Sequence, residues 1–224
     1  MRDAASSQAL AARPMRRVRR THPTKPRVSD ERRWLTEYLE RYRANLIPPE
    51  VVEQLVQLKA LLQQVQARGK KTIFVGNGGS AAMASHCAVD LTKNAGVRCI
   101  NFNEADLITC LANDYGYERW VEKALELYAD DGDLVVLISS SGQSANLVNA
   151  ARAARLRGLT LVTFTGFAAD NPLKQLGDLN LWVNSRAYNL VEMTQHIWLL
   201  AVCDLIIGAA EYPAAPEPEG ATTR

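Results

Sequence analysis

The chain of 224 residues has no CxxC pair, only three histidines, and no uninterrupted apolar run near the ~20 residues that a membrane-spanning helix needs. Its four cysteines, Cys87, Cys99, Cys110 and Cys203, fall in segments that read as helix or strand. That argues against a zinc ribbon or a disulfide framework and for free thiols in a reducing compartment. The glycine-rich stretch at 76–86 fits neither GxGxxG nor GxxxxGK[ST], so it is neither a dinucleotide fingerprint nor a P-loop. A repeat of solenoid type is missing, and so is the apolar core of a secretory signal, which predicts a cytoplasmic protein that does not enter a membrane.

With 47% hydrophobic and 22% charged residues, the sequence has the composition of an ordinary globular domain. Its length suits one domain with tails. The overall charge of +2 averages two unlike parts. Residues 1–28 set Arg2, Arg13, Arg16, Arg17, Arg19, Arg20, Lys25 and Arg27 against Asp3 alone, a net +7, which leaves the remainder at −5. The expected organisation is a basic, disordered tail over 1–28, a domain over 29–210 and a Pro- and Ala-rich flexible tail over 211–224. An Arg-rich tail is also compatible with a transit peptide or a nucleic-acid contact. Residues 1–48 are too short and too rich in proline for a helix-turn-helix, so nucleic acid is not expected as a partner apart from that tail.

Trp34, Leu35, Tyr38, Leu39 and Tyr42 recur at helical spacing behind a Ser29/Asp30 start signal. Val52, Leu55, Leu58, Leu62 and Val65 do so behind Pro48 and Pro49, and Gly69 stops that second helix. From residue 71 onward short apolar runs alternate with helical periods: 72–75, 98–102, 134–138, 159–164 and 179–183, with a last long helix over 188–208. Near-continuous Val, Ile and Leu strands separated by helices predict an α/β three-layer sandwich. Its parallel sheet has about five strands with helices on both faces, and two helices precede it.

Two strand ends carry the chemistry. After the first strand, GNGGSAAMASH places Gly76, Gly78 and Gly79 before a helix opened by Ser80, a build suited to an anion. After the central strand, SSSGQSANL places Ser139, Ser140, Ser141 and Ser144 around Gly142 before another helix. Ligands of open α/β sheets bind beyond the carboxyl ends of the strands. Neutral donors with no lysine in either loop suit one phosphate on a sugar better than a triphosphate with magnesium.

The pairing of GNGGSA with ISSSGQSANL and LVTFTG resembles the SIS (sugar isomerase) domain, of the flavodoxin-like type, over about residues 34–210. GNGGSAAMASHCAVDL and LANDYG are similar to the phosphoheptose isomerase branch and to its non-catalytic relatives, the initiator-associating proteins of bacterial replication. The resemblance implies substrate contacts at Asn77, Gly78, Gly79, Ser80, Asn113, Asp114, Ser139, Ser140, Ser141 and Ser144, with the serines holding the phosphate. It also implies zinc on His86 and Asp90, a homotetramer built partly from the first helices, and sites shared between subunits.

The family's remaining ligands, a Gln and a His eight residues later, fall here on Val191 and Leu199. On a helix advancing about 100° per residue, Gln195 at about 40° and Glu192 at about 100° from Val191 point into the sector left vacant, and His196 at about 140° marks its edge. Gln195 is thus a candidate for substrate or zinc. A ketose–aldose isomerisation needs a base and a group that stabilises or protonates the enediolate. Asp90 or Glu192 is the candidate base, with His86 and His196 as metal ligands or as acid. His196 can alternatively pack with Trp198 between helices. Two functions stay open: an isomerase of sedoheptulose 7-phosphate in heptose and glycan precursor synthesis, such as lipopolysaccharide, and a non-catalytic phosphosugar-responsive module that binds a protein such as a replication initiator.

Overall fold

The structure is a computed structural model that describes residues 30–213; the tail expected over 1–28, and residues 214–224 of the one expected over 211–224, lie outside the described residues. The chain runs α1 (Glu31–Leu46), α2 (Pro49–Ala67), β1 (Thr72–Gly76), α3 (Gly79–Lys93), β2 (Cys99–Asn101), α4 (Ala105–Tyr115) and α5 (Trp120–Tyr128). It continues with β3 (Leu134–Ser139), α6 (Ala145–Leu156), β4 (Thr160–Thr165), α7 (Pro172–Leu176), β5 (Leu179–Trp182) and α8 (Tyr188–Ile207). All five strands coincide with the five apolar runs of the sequence.

The strands form one parallel sheet in the order β2-β1-β3-β4-β5. This is the flavodoxin-like order, with its switch point between β1 and β3. β3 lies at the centre and all six of its residues are buried, because helices cover both faces. On one face Leu58 and Leu62 of α2, Met83 and Leu91 of α3 and Trp198 and Val202 of α8 pack over Phe74, Val136 and Phe164. On the other, Leu111 of α4, Trp120 and Leu125 of α5, Leu147 and Ala151 of α6 and Leu173 of α7 pack over Ile73, Val135 and Leu137. The result is the three-layer sandwich expected from the alternating pattern.

Asp30 caps α1 by accepting the N–H of Arg33 at 3.0 Å, and Pro49 opens α2 where its missing N–H costs nothing. α1 has no buried residue; it is tied to α8 by Tyr42 Oη donating to the Asn189 carbonyl at 3.1 Å and by Trp198 Nε1 donating to the Leu46 carbonyl at 2.9 Å. α8 departs from the expectation that no segment has the length and apolarity of a membrane span. Its 20 residues reach both, although Glu192, Gln195 and His196 interrupt the apolar run. Leu190, Val191, Thr194, Gln195, Trp198, Leu199, Val202 and Cys203 turn inward as core.

Candidate functional site

The β1–α3 and β3–α6 loops emerge side by side because β1 and β3 are neighbours at the switch point. Gly78, at φ 56° and ψ −121°, takes a backbone conformation closed to residues with a side chain and turns the chain sharply into α3. Asn77, just before it, is fixed from two sides. Its amide exchanges reciprocal hydrogen bonds with buried Asn146, both at 3.0 Å, and its Oδ1 also accepts from Tyr117 Oη at 3.1 Å. One Nδ2 hydrogen of Asn77 remains for a ligand.

In the second loop Ser139 Oγ lies 3.3 Å from Ser144 Oγ and accepts the Gly142 N–H at 3.2 Å. Ser141 Oγ accepts the Gln143 N–H at 3.2 Å. Ser144 occupies the N-cap of α6, but its hydroxyl does not cap the helix and faces Ser139 instead. Together with Ser80, Asn77, Tyr188 and Glu192, these serines enclose a cavity of about 110 Å3. At about 30 Å3 per water, that is room for one phosphate-sized group, well below the ~300 Å3 at which whole-ligand pockets begin. The N-termini of α3 and α6 open beside it, as an anion requires.

Glu192 reaches this cavity from α8. Ser140 Oγ donates to its Oε1 at 3.3 Å, and its carboxylate lies over Gly79 so closely that a Cβ there would collide with it. One turn further along α8, His196 meets α3: its Nε2 is 2.9 Å from His86 Nδ1, with the rings edge to face and their centroids 4.9 Å apart. His86 Nε2 in turn lies 3.3 Å from Asp90 Oδ2. If Asp90 accepts from His86 Nε2–H, His86 Nδ1 accepts from His196 Nε2–H, so the chain of bonds assigns both tautomers. Burial first, and then the neighbouring His86, push His196 below the ordinary imidazole range against the pull of Asp90. Burial likewise raises the thiols of Cys87 and Cys99 to about 12 and that of Cys203 to about 11, so these cysteines are inert packing groups.

The side chains present do not fit zinc. Among the described residues no three of His, Cys, Asp and Glu converge on a metal position. Both ring nitrogens of His86 are engaged by protein, and Val191 and Leu199 are buried apolar groups. Gln195, expected to contact substrate or zinc, is corrected by the structure: it is fully buried, and its Nε2 donates to the Thr165 carbonyl at 2.8 Å. It belongs to the buried side of α8 with Thr194 and Trp198, not to the cavity wall.

The two loops and Glu192 are therefore brought together, His86, Asp90 and His196 form a separate cluster along the α3–α8 seam, and Gln195 joins neither. Asn113 and Asp114 sit exposed at the end of α4, bonded to each other at 2.9 Å and outside the cavity walls. The sequence reading missed Tyr188, which lines the cavity, and Asn146 and Tyr117, which hold Asn77. Signals existed for the last two, since Asn146 lies within SSSGQSANL and Tyr117 directly follows LANDYG.

Comparison with known proteins places this geometry. The model of the SIS domain matches residues 37–166. Phosphoheptose isomerase of Aliarcobacter butzleri is 32% identical over 160 residues, covering 69% of this chain and 84% of the relative. Phosphoheptose isomerase of Roseiflexus sp. is 36% identical over 145 residues, covering 62% of this chain and 73% of the relative. The solved phosphoheptose isomerase of Neisseria gonorrhoeae superposes with a TM-score of 0.70 at 29% identity, over 78% of this chain and 97% of that one. The chain belongs to the SIS domain family, in its phosphoheptose isomerase branch.

Proposed function

We propose that this protein is a cytoplasmic aldose–ketose isomerase that interconverts sedoheptulose 7-phosphate and an aldoheptose 7-phosphate. The similarity to phosphoheptose isomerases supports the substrate. Ser139, Ser141 and Ser144, with Ser80 and the N–H groups opening α3 and α6, take the phosphate as neutral donors. Since about 110 Å3 holds only that end of the ligand, the sugar chain extends out past Glu192.

The observation that carries the mechanism is the position of Glu192 in the cavity wall, 3.3 Å from Ser140, while Asp90 is engaged with His86. Glu192 takes a proton from C1 of the ketose, the electron pair becomes the C1=C2 bond of the enediolate, and the returning proton is delivered to C2. The hydroxyl proton of O1 passes to O2, so the step is redox-neutral. His196 lies one turn from Glu192, but the single N–H of its neutral ring is spent on His86, so it donates nothing to the enediolate. The test is turnover of sedoheptulose 7-phosphate followed by NMR. Glu192→Gln should lower kcat at least about 100-fold, Asp90→Asn only a few-fold, and a chelator should change neither protein. Full activity in Glu192→Gln would remove this base.

Val191 and Leu199, buried where the family has ligands, favour a second reading, a phosphosugar-responsive module without turnover. Sedoheptulose 7-phosphate would then raise the melting temperature yet stay unconsumed. A homotetramer also belongs to the proposal; Trp34, Leu35 and Leu39 on α1, Ile47 just after it, and Val52 and Val56 on α2 are exposed and support an assembly surface.

A further inference from the structure

Beside the serine cavity lies a second, more open pocket of about 440 Å3 between α1 and the turn from β5 into α8. Arg41 and Asn45 of α1 line one side, Asn184, Ser185 and Arg186 of the turn line the other, and Phe167 closes the end. Among the described residues neither guanidinium has a carboxylate within ion-pair distance, because the acids near Arg41 on α1 are taken: Glu37 by Arg33 and Glu40 by Arg43. No acid lines the pocket, although residues 29–224 carry a net −5. Ser185 Oγ accepts the Ala187 N–H at 3.2 Å, which leaves its own hydrogen to donate.

Phe167 is the only described residue other than glycine with a positive φ, 56°, a conformation that costs about 1–2 kcal/mol. It is held there by its N–H donating to the Ser185 carbonyl at 2.9 Å and by its ring meeting Tyr188 at 4.9 Å. Tyr188 also lines the serine cavity, so the Phe167–Tyr188 pair is the wall between the two pockets. Strained backbone of this kind concentrates at ligand clamps.

We propose that this pocket is a second phosphoryl-group site, with Arg41 and Arg186 as charge partners and Ser185 and Asn184 as neutral donors. Two planar guanidiniums without an acid are suited to a phosphoryl oxygen pair. The phosphoryl group arrives either as a free ion or as the far end of a bisphosphorylated sugar whose first phosphate occupies the serine cavity. The site does not depend on turnover.

Inorganic phosphate is the probe, titrated at low ionic strength and followed by calorimetry and 31P line broadening. Wild type should show two classes of site. Arg41→Gln/Arg186→Gln should lose one class and Ser139→Ala/Ser144→Ala the other. Both arginines are exposed, so the first variant should unfold within about 2 °C of wild type without phosphate. A sugar bisphosphate separates the sources. If it bridges the pockets, the arginine variant loses about tenfold or more in affinity for it and none for the monophosphate; if the ion is free, both sugars bind the variant as they bind wild type while the phosphate isotherm still loses a class. A single class in wild type, or an arginine-variant isotherm that superimposes on wild type, overturns the site. Failure of the proposed isomerase is read separately, from turnover.

Discussion

At the scale of single residues the site depends on how closely α8 approaches the start of α3. Gly79 has no side chain, and the space it leaves is filled by the Glu192 carboxylate. Gly79→Ala would displace the tip of a flexible side chain rather than backbone, while alanine favours the helix by about 1 kcal/mol over glycine. The melting temperature should stay near that of wild type, yet misplacing a base by about an ångström costs on the order of 100-fold in turnover. A Gly79→Ala protein with wild-type kcat would show that Glu192 need not stay where it is. Glu192 was legible in the sequence because a helix fixes directions. The same rotation misled for Gln195, since a direction does not say whether the space ahead is cavity or core, and Thr165 offers a buried carbonyl there.

At the scale of elements, the α3–α8 seam carries a row of hydrogen bonds from His196 through His86 to Asp90. Folding lowers the pKa of His196 from 6.5, so below that value the unfolded chain binds more protons than the native one. Stability therefore falls as pH drops from about 6.5 toward the folded pKa of His196, and the cost is fully present below it. His196→Gln should flatten this part of a stability profile measured by urea unfolding between pH 5 and 7. An unchanged slope would mean that His196 protonates equally well in both states. All five strands could be read from apolar runs because a doubly covered parallel sheet leaves no polar face to blur them. The separate helices α4, α5 and α7 could not be singled out. α7 spans only five residues, and the division of α4 from α5 depends on the turn at Gly116.

At the scale of the molecule, the sheet is also pinned at the end away from the site. Lys71, leading into β1, pairs at 2.6 Å with both Asp130 and fully buried Asp133, and Asp133 also accepts the backbone N–H groups of Lys71 and Asp130. Burial pulls the Lys71 ammonium down, but its bonds to Asp130 and Asp133 outweigh that and raise its pKa. The raised value means that the Lys71 contribution is complete below about 10.5 and is lost as pH climbs through its folded pKa. The same bond lowers the pKa of Asp130 from 3.8, so the pair is also lost as pH falls through the folded pKa of Asp130. Asp133→Ala leaves Lys71 paired with Asp130 alone and strands two backbone donors, so unfolding in urea should show a loss of about 2–4 kcal/mol. A loss below about 1 kcal/mol would place the strength of the β1–β3 pairing in apolar packing alone.

The opposite case is α1, which buries no residue of its own and exposes Trp34, Leu35 and Leu39. A 16-residue helix is barely long enough to persist by propensity, and only its far end, at Tyr42 and Leu46, is bonded to α8. Covering the near end with a second copy would supply the missing contacts and align α1 against a partner's surface. The sequence showed the stripe but not its use, because an amphipathic period looks the same whether the apolar face meets its own core or another chain. Sedimentation of the wild type should give an assembly that Leu35→Glu/Leu39→Glu converts to smaller species with the domain still folded. A wild type that sediments as a monomer would leave α1 without a partner and would detach the proposed tetramer from the isomerase reading.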